Sequence, residues 1–321
     1  MSDAETLKAT TRLAADGAGI AAAAGLLRAG RLVAFATETV YGLGAIADDA
    51  GAVARIYAAK GRPSFNPLIA HVPDVEAAQR EGSFDRAARA LADAFWPGPL
   101  TLVAPLAATA SVCDLARAGL NTIALRVPAH PAARALLERA GRPVAAPSAN
   151  RSGGVSPTTA DHVLAELDGR IDAVLDSGPA NVGVESTIVG CLGGEPVLLR
   201  PGGIATAEVS RVVGRLGKPE TGAVSAPGML SSHYAPRAGL RLGAIALEEG
   251  EAGLDFGGRL GGGALDLSSA GDPTEAAANL YAYLRRLDAG GPRGIAVAPV
   301  PAHGLGEAIN DRLRRAAAPR E

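Results

Sequence analysis

The 321-residue sequence predicts an α/β fold: a mixed, twisted sheet with flanking helices, followed by a smaller α/β domain. Two observations predict this class. Short apolar runs of strand length, such as RLVAFA (31–36), alternate with amphipathic helical patterns, such as DDAGAVARIYAAKG (48–61), but without a regular strand–helix–strand repeat. A segment rich in proline, glycine and serine at 217–238 then separates the last part of the chain from the rest. We therefore expect two domains of unequal size.

The predicted bounds follow from these composition changes. We expect a larger α/β domain at 15–216, a linker at 217–238 and a small α/β domain at 239–321. Within the last domain, LRLGAIA and GIAVAPV are typical of strands, while 274–288 and 306–317 are typical of helices. The glycine-rich GGRLGGGA between them is interpreted as a surface loop.

The elements of the first domain are predicted from apolar runs and helix stop signals. Gly30 ends the first helix, Asp48 or Asp49 caps the second, Gly61 ends it, and TETVYGLG (37–44) is interpreted as a loop. The predicted strands are 31–36, 68–72, 101–104, 122–127, 171–176, 186–190 and 196–200. The predicted helices are 19–29, 48–61, 85–95, 130–141, 160–167 and 206–216.

Composition limits the class of function. Net charge is −2, so no overall positive field attracts nucleic acid, although a local basic groove stays open. Cys113 and Cys191 lie far apart outside any CxxC pattern, which disfavours a zinc site or a disulfide framework. The polar N-terminus and the lack of a long apolar run predict a cytoplasmic protein that makes no membrane contact.

Two loops carry the first candidate chemistry. TETVYGLG follows a strand, where α/β folds bind ligands, and offers Thr37, Glu38 and Thr39 oxygens between flexible glycines. Taken alone, this segment is explained better by an ordinary strand–turn with satisfied hydroxyls. The serine-rich APSANRSGGVSPTT (146–159) also follows a short strand and suits a phosphate or adenine, although it matches neither a Walker A nor a dinucleotide motif.

The segment KGRPSFNPLIAHV (60–72) places Lys60 and Arg62 at a helix end. The helix dipole alone explains two cations there, but an ammonium beside a guanidinium also suits a polyphosphate. Lys60 is one of only three lysines among 31 basic residues. His71 lies in an apolar strand, either as a core histidine or facing a pocket, and Arg126, in a similar strand, needs a partner or a ligand.

Five motifs follow one another along the chain: TETVYGLG, K-x-R (60–62), S-x-N (148–150), GVESTIV (183–189) and LLRPG (198–202). Together, in this order, they resemble the YrdC-like domain. The later SSHYAPR and GLGEAINDRL resemble the two-domain members of that family, the threonylcarbamoyl-AMP synthases. The resemblance extends over roughly residues 15–315. It implies a YrdC-like sheet and a Rossmann-like C-terminal domain.

The resemblance also implies a reaction. L-Threonine, bicarbonate and ATP would give threonylcarbamoyl-AMP and pyrophosphate, with Mg²⁺ accompanying ATP and no metal site formed by the protein. Partner proteins would then transfer the threonylcarbamoyl group to an adenosine next to the tRNA anticodon, and a weak RNA contact is included among the expected partners. This activity is that of a nucleotidyltransferase in tRNA modification.

The same resemblance implies site residues by their positions in the motifs. Around threonine it implies Thr39, His71, Arg126, Ala146 and Ser186. Around ATP it implies Arg62, Asn66, Thr122, Ser148, Ser156, Arg200 and Tyr234. The motif tetrad expected to be catalytic is Lys60, Arg62, Ser148 and Asn150.

Two alternatives come from other classes. An RNA-binding module could use the same basic groove, but the net charge, the 3% aromatic content and the absence of an RNA-binding motif disfavour it. A carbamoyl-transfer maturation enzyme that shares the domain would carry zinc-finger cysteines, whereas this chain has only Cys113 and Cys191.

Overall fold

A computed structural model describes residues 9–218 and 233–319. The first domain contains strands β1 (Thr11–Ala14), β2 (Val33–Ala36), β3 (Tyr41–Ile46), β4 (Ile69–His71), β5 (Leu100–Pro105), β6 (Thr122–Arg126), β7 (Val144–Ala145), β8 (Ala173–Asp176), β9 (Thr187–Gly190) and β10 (Val197–Arg200). Its helices are α1 (Gly17–Arg28), α2 (Ala50–Lys60), α3 (Val75–Glu81), α4 (Arg86–Phe95), α5 (Asp114–Arg117), α6 (Pro131–Ala140), α7 (Ala160–Leu167) and α8 (Thr206–Val213). The second domain contains β11 (Gly239–Leu242), β12 (Glu251–Asp255), β13 (Leu265–Asp266), β14 (Gly294–Val297), α9 (Pro273–Ala289) and α10 (Gly306–Ala317).

The first domain is built on a ten-stranded mixed sheet in the order β1-β8-β2-β3-β7-β4-β6-β5-β9-β10. The second is built on four parallel strands in the order β11-β14-β12-β13. The predicted α/β class, with a mixed sheet and a smaller α/β domain, is confirmed. None of the helices in the described parts of the chain is long and apolar enough to cross a membrane.

Both faces of the large sheet are buried, and β2 shows how. Val33 and Phe35 pack into the cluster formed with α1 and α6, while Ala34 and Ala36 pack into the cluster on the opposite face. Side chains alternate along a strand, so a strand covered on both faces is apolar throughout. This explains why RLVAFA has no polar alternation.

The helix before the K-x-R motif is fixed at both ends. The Asp49 side chain accepts hydrogen bonds from the backbone N–H groups of Gly51 and Ala52, and Gly61 ends α2 with φ 61°, in the left-handed region. Both end signals were predicted. They place Lys60 in the last turn of α2 and let the chain turn sharply before Arg62.

Several boundaries differ from the sequence prediction. TETVYGLG is not all loop, because β3 begins at Tyr41 and continues through both glycines. A Cβ atom at Gly44 would lie 2.8 Å from the Phe35 ring, so this glycine allows close packing within a strand rather than a turn. The first domain, expected from residue 15, already includes β1, which pairs in parallel with β8.

Other differences concern short elements and the linker. Helices α3 and α5 and strands β12 and β13 were not predicted, because each is short or interrupted by glycine. Helix α8 ends at Val213, before Gly214 with φ 79°, and not at residue 216. Most of the predicted linker, 219–232, lies outside the described residues.

The two domains share one apolar cluster. Val40, Val155 and Val184 of the first domain pack with Tyr234 and with buried residues of α9 and α10. Gly183 is the tightest point of this contact: a Cβ atom there would lie 2.2 Å from the Ala277 carbonyl oxygen in α9. Only a residue without a side chain lets α9 approach so closely.

We predict that Gly183→Ala loosens this contact, and Gly178→Ala is the matched control. Both glycines have positive φ, 74° and 84°, but a Cβ atom at Gly178 meets nothing within 4 Å. Left-handed backbone costs an alanine about 1–2 kcal/mol, and overpacking adds about 1–3 kcal/mol. Denaturant unfolding should therefore show a larger loss for Gly183→Ala, with faster proteolysis between the domains. Equal losses for the two variants would contradict a close interdomain contact.

Candidate active site

A cavity of about 50 Å³ lies where several strands of the large sheet begin or end. Parallel strands that stop at the same edge leave polar side chains and backbone groups in a common crevice. The C-terminal residues of β4, β6 and β10 contribute His71, Arg126 and Arg200. The lining consists of Thr37, Val40, Gly42, Arg62, Ile69, His71, Arg126, Ala146, Pro147, Ser148, Glu185, Ser186, Arg200 and Tyr234.

The K-x-R motif is folded against the S-x-N loop. Lys60 is buried, and its Nζ donates to the Ser148 carbonyl at 2.6 Å and to the Asn150 carbonyl. The Ser152 N–H in turn donates to the Lys60 carbonyl at 2.9 Å. Burial, and then the neighbouring Arg62, lower the pKa of Lys60 well below its ordinary value. The ammonium group thus ties the end of α2 to the S-x-N loop and does not turn back to the carbonyls of its own helix.

Arg62 is held by backbone carbonyls. Its Nη2 donates to the Asn66 carbonyl at 3.3 Å and to the Pro67 carbonyl at 3.1 Å. Burial lowers its pKa to about 10, still well above neutral pH, so the guanidinium stays charged. No carboxylate neutralises it in these contacts, so its charge faces the cavity.

Arg126 has a carboxylate partner. Its Nη2 donates to Glu38 Oε1 at 2.7 Å and to Thr39 Oγ1 at 2.9 Å, and Glu38 Oε2 accepts the Ala129 N–H at 3.0 Å. Burial alone would raise the pKa of Glu38, but Arg126 and the backbone N–H groups outweigh it and lower that pKa. The pair is ionised and fixes the guanidinium beside the cavity.

His71 is buried next to Arg126, in register across β4 and β6. Its Nδ1 lies 3.2 Å from the Ile69 carbonyl, and its ring meets the Phe35 ring edge-on. Burial, and then Arg126, lower the pKa of His71 to about 3. The imidazole is therefore neutral near pH 7 and adds a polar group without adding charge.

The far wall is formed by Ser186 and Arg200. Arg200 donates from Nη2 to the Ser186 carbonyl at 2.9 Å and to Ser186 Oγ at 3.2 Å, and the Thr101 hydroxyl lies 2.7 Å from the same Oγ. Gly202 makes room for this turn, because a Cβ atom there would lie 2.4 Å from the Ser186 backbone. Burial lowers the pKa of Arg200 from its ordinary value.

Several buried polar atoms at this site lack a hydrogen-bond partner among the described residues. They are Arg62 Nε, Asn66 Oδ1 and Nδ2, Arg126 Nε, Asn150 Oδ1 and His233 Nδ1. A buried polar group without a partner costs about 1–3 kcal/mol. Their concentration around one cavity indicates a place built for a polar ligand or for ordered water.

The structure brings most of the predicted site residues together. Arg62, His71, Arg126, Ala146, Ser148, Ser186, Arg200 and Tyr234 line the cavity. Thr39, Lys60, Asn66, Asn150 and Ser156 lie immediately behind it, bonded to lining residues or to the S-x-N loop. Thr122 is half-buried at the opposite end of β6 from Arg126, outside the lining.

The site residues implied by the resemblance did not include two carboxylates, Glu38 and Glu185, or two residues of the second domain. Glu38 and Glu185 are visible in the sequence as polar residues beside apolar strands, but nothing there indicates their arginine partners. Tyr281 and Arg312 both bond to Glu185 from α9 and α10. Arg312 is one of several arginines in NDRLRR, and its burial depends on how the domains dock.

A metal cage formed by the protein was not predicted. Among residues 9–218 and 233–319, no group of three or more His, Cys, Asp or Glu side chains could hold a metal ion. Glu185, a carboxylate in the cavity wall, is already bonded to Ser156, Tyr281 and Arg312.

Comparisons with known proteins identify the family of this chain. Residues 25–202 match the Sua5, YciO and YrdC family model, described as "Telomere recombination". Residues 204–318 match the model described as "Threonylcarbamoyl-AMP synthase, C-terminal domain". The two matches together extend over most of the chain.

Relatives of similar length carry the same name. The chain is 41% identical to threonylcarbamoyl-AMP synthase of Bacillus subtilis, with 96% of this chain and 95% of that protein aligned. It is 42% identical to that of Pyrococcus abyssi, with 92% of each aligned. A crystal structure of P. abyssi Sua5 with L-threonine superposes with a TM-score of 0.89, 38% identity and 97% and 98% coverage of the two chains. The chain belongs to the threonylcarbamoyl-AMP synthase family, in its two-domain form.

Proposed function

We propose that this chain is a nucleotidyltransferase that makes threonylcarbamoyl-AMP and pyrophosphate from L-threonine, bicarbonate and ATP. The observation that carries the proposal is the buried positive charge around one small cavity. Lys60, Arg62, Arg126 and Arg200 are all buried there. Arg126 pairs with the Glu38 carboxylate, whereas the described hydrogen bonds of Lys60 and Arg62 go to backbone carbonyls. Cations buried in this way favour an anionic ligand such as a triphosphate.

The reaction needs little covalent chemistry from the protein. The amine of threonine adds to carbon dioxide, derived from bicarbonate, and loses a proton to form a carbamate. A carbamate oxygen then attacks the α-phosphorus of ATP, the bond from that phosphorus to the β-bridging oxygen breaks, and pyrophosphate leaves. Such a transfer is accelerated by positioning and by charge neutralisation. The cavity offers both.

The walls suggest how the two substrates are arranged. Arg62 and Arg200, with Asn66 nearby, would hold the phosphates, and the Lys60 contacts would keep the S-x-N loop in place. Arg126 would bind the threonine carboxylate through its remaining N–H groups, including the unpartnered Nε, beside the neutral His71. Bound Mg²⁺ would supply charge neutralisation on the phosphate oxygens, and it would arrive with ATP, since Mg²⁺ is commonly held through substrate phosphates.

Substrate entry would require Tyr234 to move. The cavity is about 50 Å³, far below the roughly 300–1,000 Å³ of ligand pockets, and Tyr234 is almost fully buried in its wall. Tyr234 also has φ 64°, a conformation that costs a non-glycine residue about 1–3 kcal/mol. We infer that the linker acts as a lid, opening for ATP and closing to keep water from the product.

The RNA-binding alternative is less well supported. RNA-binding surfaces present cations and stacking aromatics to solvent, whereas here the cations are buried and turned towards an enclosed cavity. Three further points stay predictions from the sequence. They are a weak RNA contact elsewhere on the protein, delivery of the product to tRNA threonylcarbamoyl-transfer proteins, and a cytoplasmic location.

The first of two predictions from this proposal tests the reaction directly. Pyrophosphate release from ATP should require both L-threonine and bicarbonate, because the attacking group is a carbamate built from the two. The measurement is a coupled pyrophosphate assay with each component omitted in turn, and with product identity checked by mass spectrometry. Release that continues at the same rate without threonine or bicarbonate would refute the reaction.

The second prediction concerns Arg126→Gln. Losing a charged hydrogen bond to the carboxylate, worth about 1.5–3 kcal/mol, should raise the KM for threonine by roughly 10- to 100-fold and the KM for ATP much less. Arg117→Gln is the matched control, because Arg117 is also buried and paired with a carboxylate, Asp114, but lies outside the cavity. Steady-state kinetics with each substrate varied separately checks this. Equal increases in both KM values would remove Arg126 from the threonine site.

A further inference from the structure

One carboxylate stands in the cavity wall among the cations. Glu185 lines the same cavity as Arg62 and Arg200, and it is buried. Its Oε1 accepts from the Ser156 hydroxyl at 2.6 Å, while its Oε2 accepts from the Tyr281 hydroxyl and from Arg312 Nε, both at 2.8 Å. Two of these three partners come from the second domain, on α9 and α10.

Arg312 is the charged partner among these three, and it is buried. Its side chain is 1% exposed, and Nη1 donates to the Pro201 carbonyl at 2.9 Å and to Asp311 Oδ2 at 2.7 Å. Its guanidinium carbon also lies 5.2 Å from the centre of the Tyr234 ring, which stacks on Tyr281. Arg312 therefore contacts both the carboxylate in the cavity wall and the tyrosine that closes the cavity.

A carboxylate in this place opposes polyphosphate binding unless it is neutralised. Burial alone would raise the pKa of Glu185, but Arg312 and then Arg200 lower it to about 2, so the group is ionised near neutral pH. Charges interact more strongly in a buried, low-dielectric site than in water. Without Arg312, the negative charge would remain beside Arg200 and would weaken the attraction for phosphate.

We propose that Arg312 is a positioning residue for the nucleotide site, supplied by the C-terminal domain. It neutralises Glu185 and packs against Tyr234, so that affinity for a polyphosphate depends on docking of the second domain. This inference rests on the proposed function, since it concerns the phosphate part of that site. It explains why the second domain, whose described residues from 239 onward do not line the cavity, is fixed against the first domain through a buried ion pair.

A second contact from α9 supports the same coupling. Arg285 Nη2 donates to Glu166 Oε1 at 2.5 Å and to the Val155 carbonyl, and Glu166 Oε2 accepts the Arg151 N–H at 2.7 Å. Arg285 thus holds the loop that follows the S-x-N motif. Both C-terminal helices contact the backbone or side chains that shape the nucleotide wall.

The test measures binding rather than turnover. Equilibrium dissociation constants for ATP and for inorganic pyrophosphate are measured on wild type, Arg312→Met, Arg312→Met/Glu185→Gln, and the control Arg314→Met, which changes an exposed arginine on the same helix. Arg312→Met should weaken both ligands by about tenfold or more, as expected when one member of a buried charge pair is lost. Arg314→Met should bind like wild type.

The double variant separates charge from simple docking. If Arg312 acts by neutralising Glu185, then removing both charges should restore affinity to within about threefold of wild type. If Arg312 only holds the domains together, the double variant should bind no better than Arg312→Met, and that result would overturn the proposal. Wild-type affinity in Arg312→Met would also overturn it.

Folding and the proposed reaction are controlled separately. Circular dichroism and thermal unfolding check each variant, and Arg312→Lys, which keeps the positive charge but not the guanidinium geometry, should lose less affinity than a neutral Arg312→Gln even if Arg312→Met does not fold. A loss in Arg312→Lys equal to that in a neutral Arg312→Gln would count against the proposal. Wild type that binds ATP but releases no pyrophosphate with threonine and bicarbonate would refute the reaction alone.

Discussion

Buried positive charge at the strand ends is the constraint on which the rest of this structure depends. Around the cavity, the described residues bury Lys60, Arg62, Arg126, Arg200 and Arg312 against the carboxylates Glu38 and Glu185. Burying a charge is costly unless it is paired and hydrogen-bonded, so backbone carbonyls must take the place of the missing carboxylates. For Lys60 and Arg62, the carbonyls of 66–67, 148 and 150 do so, which explains why irregular segments beside the strands reach these two cations.

The same constraint explains how the two domains form one site. The first domain supplies the cavity and its cations, and the second supplies the partner of Glu185, in a shared apolar cluster with Tyr234. Gly183 lets α9 approach, so a backbone property of the first domain allows the second domain to pack close to Glu185. Tyr234 lies at the centre of this arrangement, because its ring contacts both Tyr281 and Arg312 of the second domain.

Local rules predicted much of the fold and the chemistry, and the failures have physical causes. Asp49 and Gly61 mark the ends of α2 because caps are local interactions, and RLVAFA is a strand because both its faces are buried. β3 was missed because Gly42 and Gly44 suggest a turn when read alone, whereas Gly44 makes room for Phe35, an interaction between strands. Arg312 could not be identified from the sequence, because its role depends on a contact with Glu185, 127 residues away.

The measurement that tests the central claim most directly is thermal unfolding with ATP, with pyrophosphate and with adenosine. A ligand that binds only the folded state stabilises it by about 2.7 kcal/mol at a hundred times its Kd. If the buried cations require an anion, then ATP and pyrophosphate should both raise the unfolding midpoint, and adenosine at the same concentration should leave it almost unchanged. Equal stabilisation by adenosine and ATP, or none by either phosphate ligand, would contradict the account.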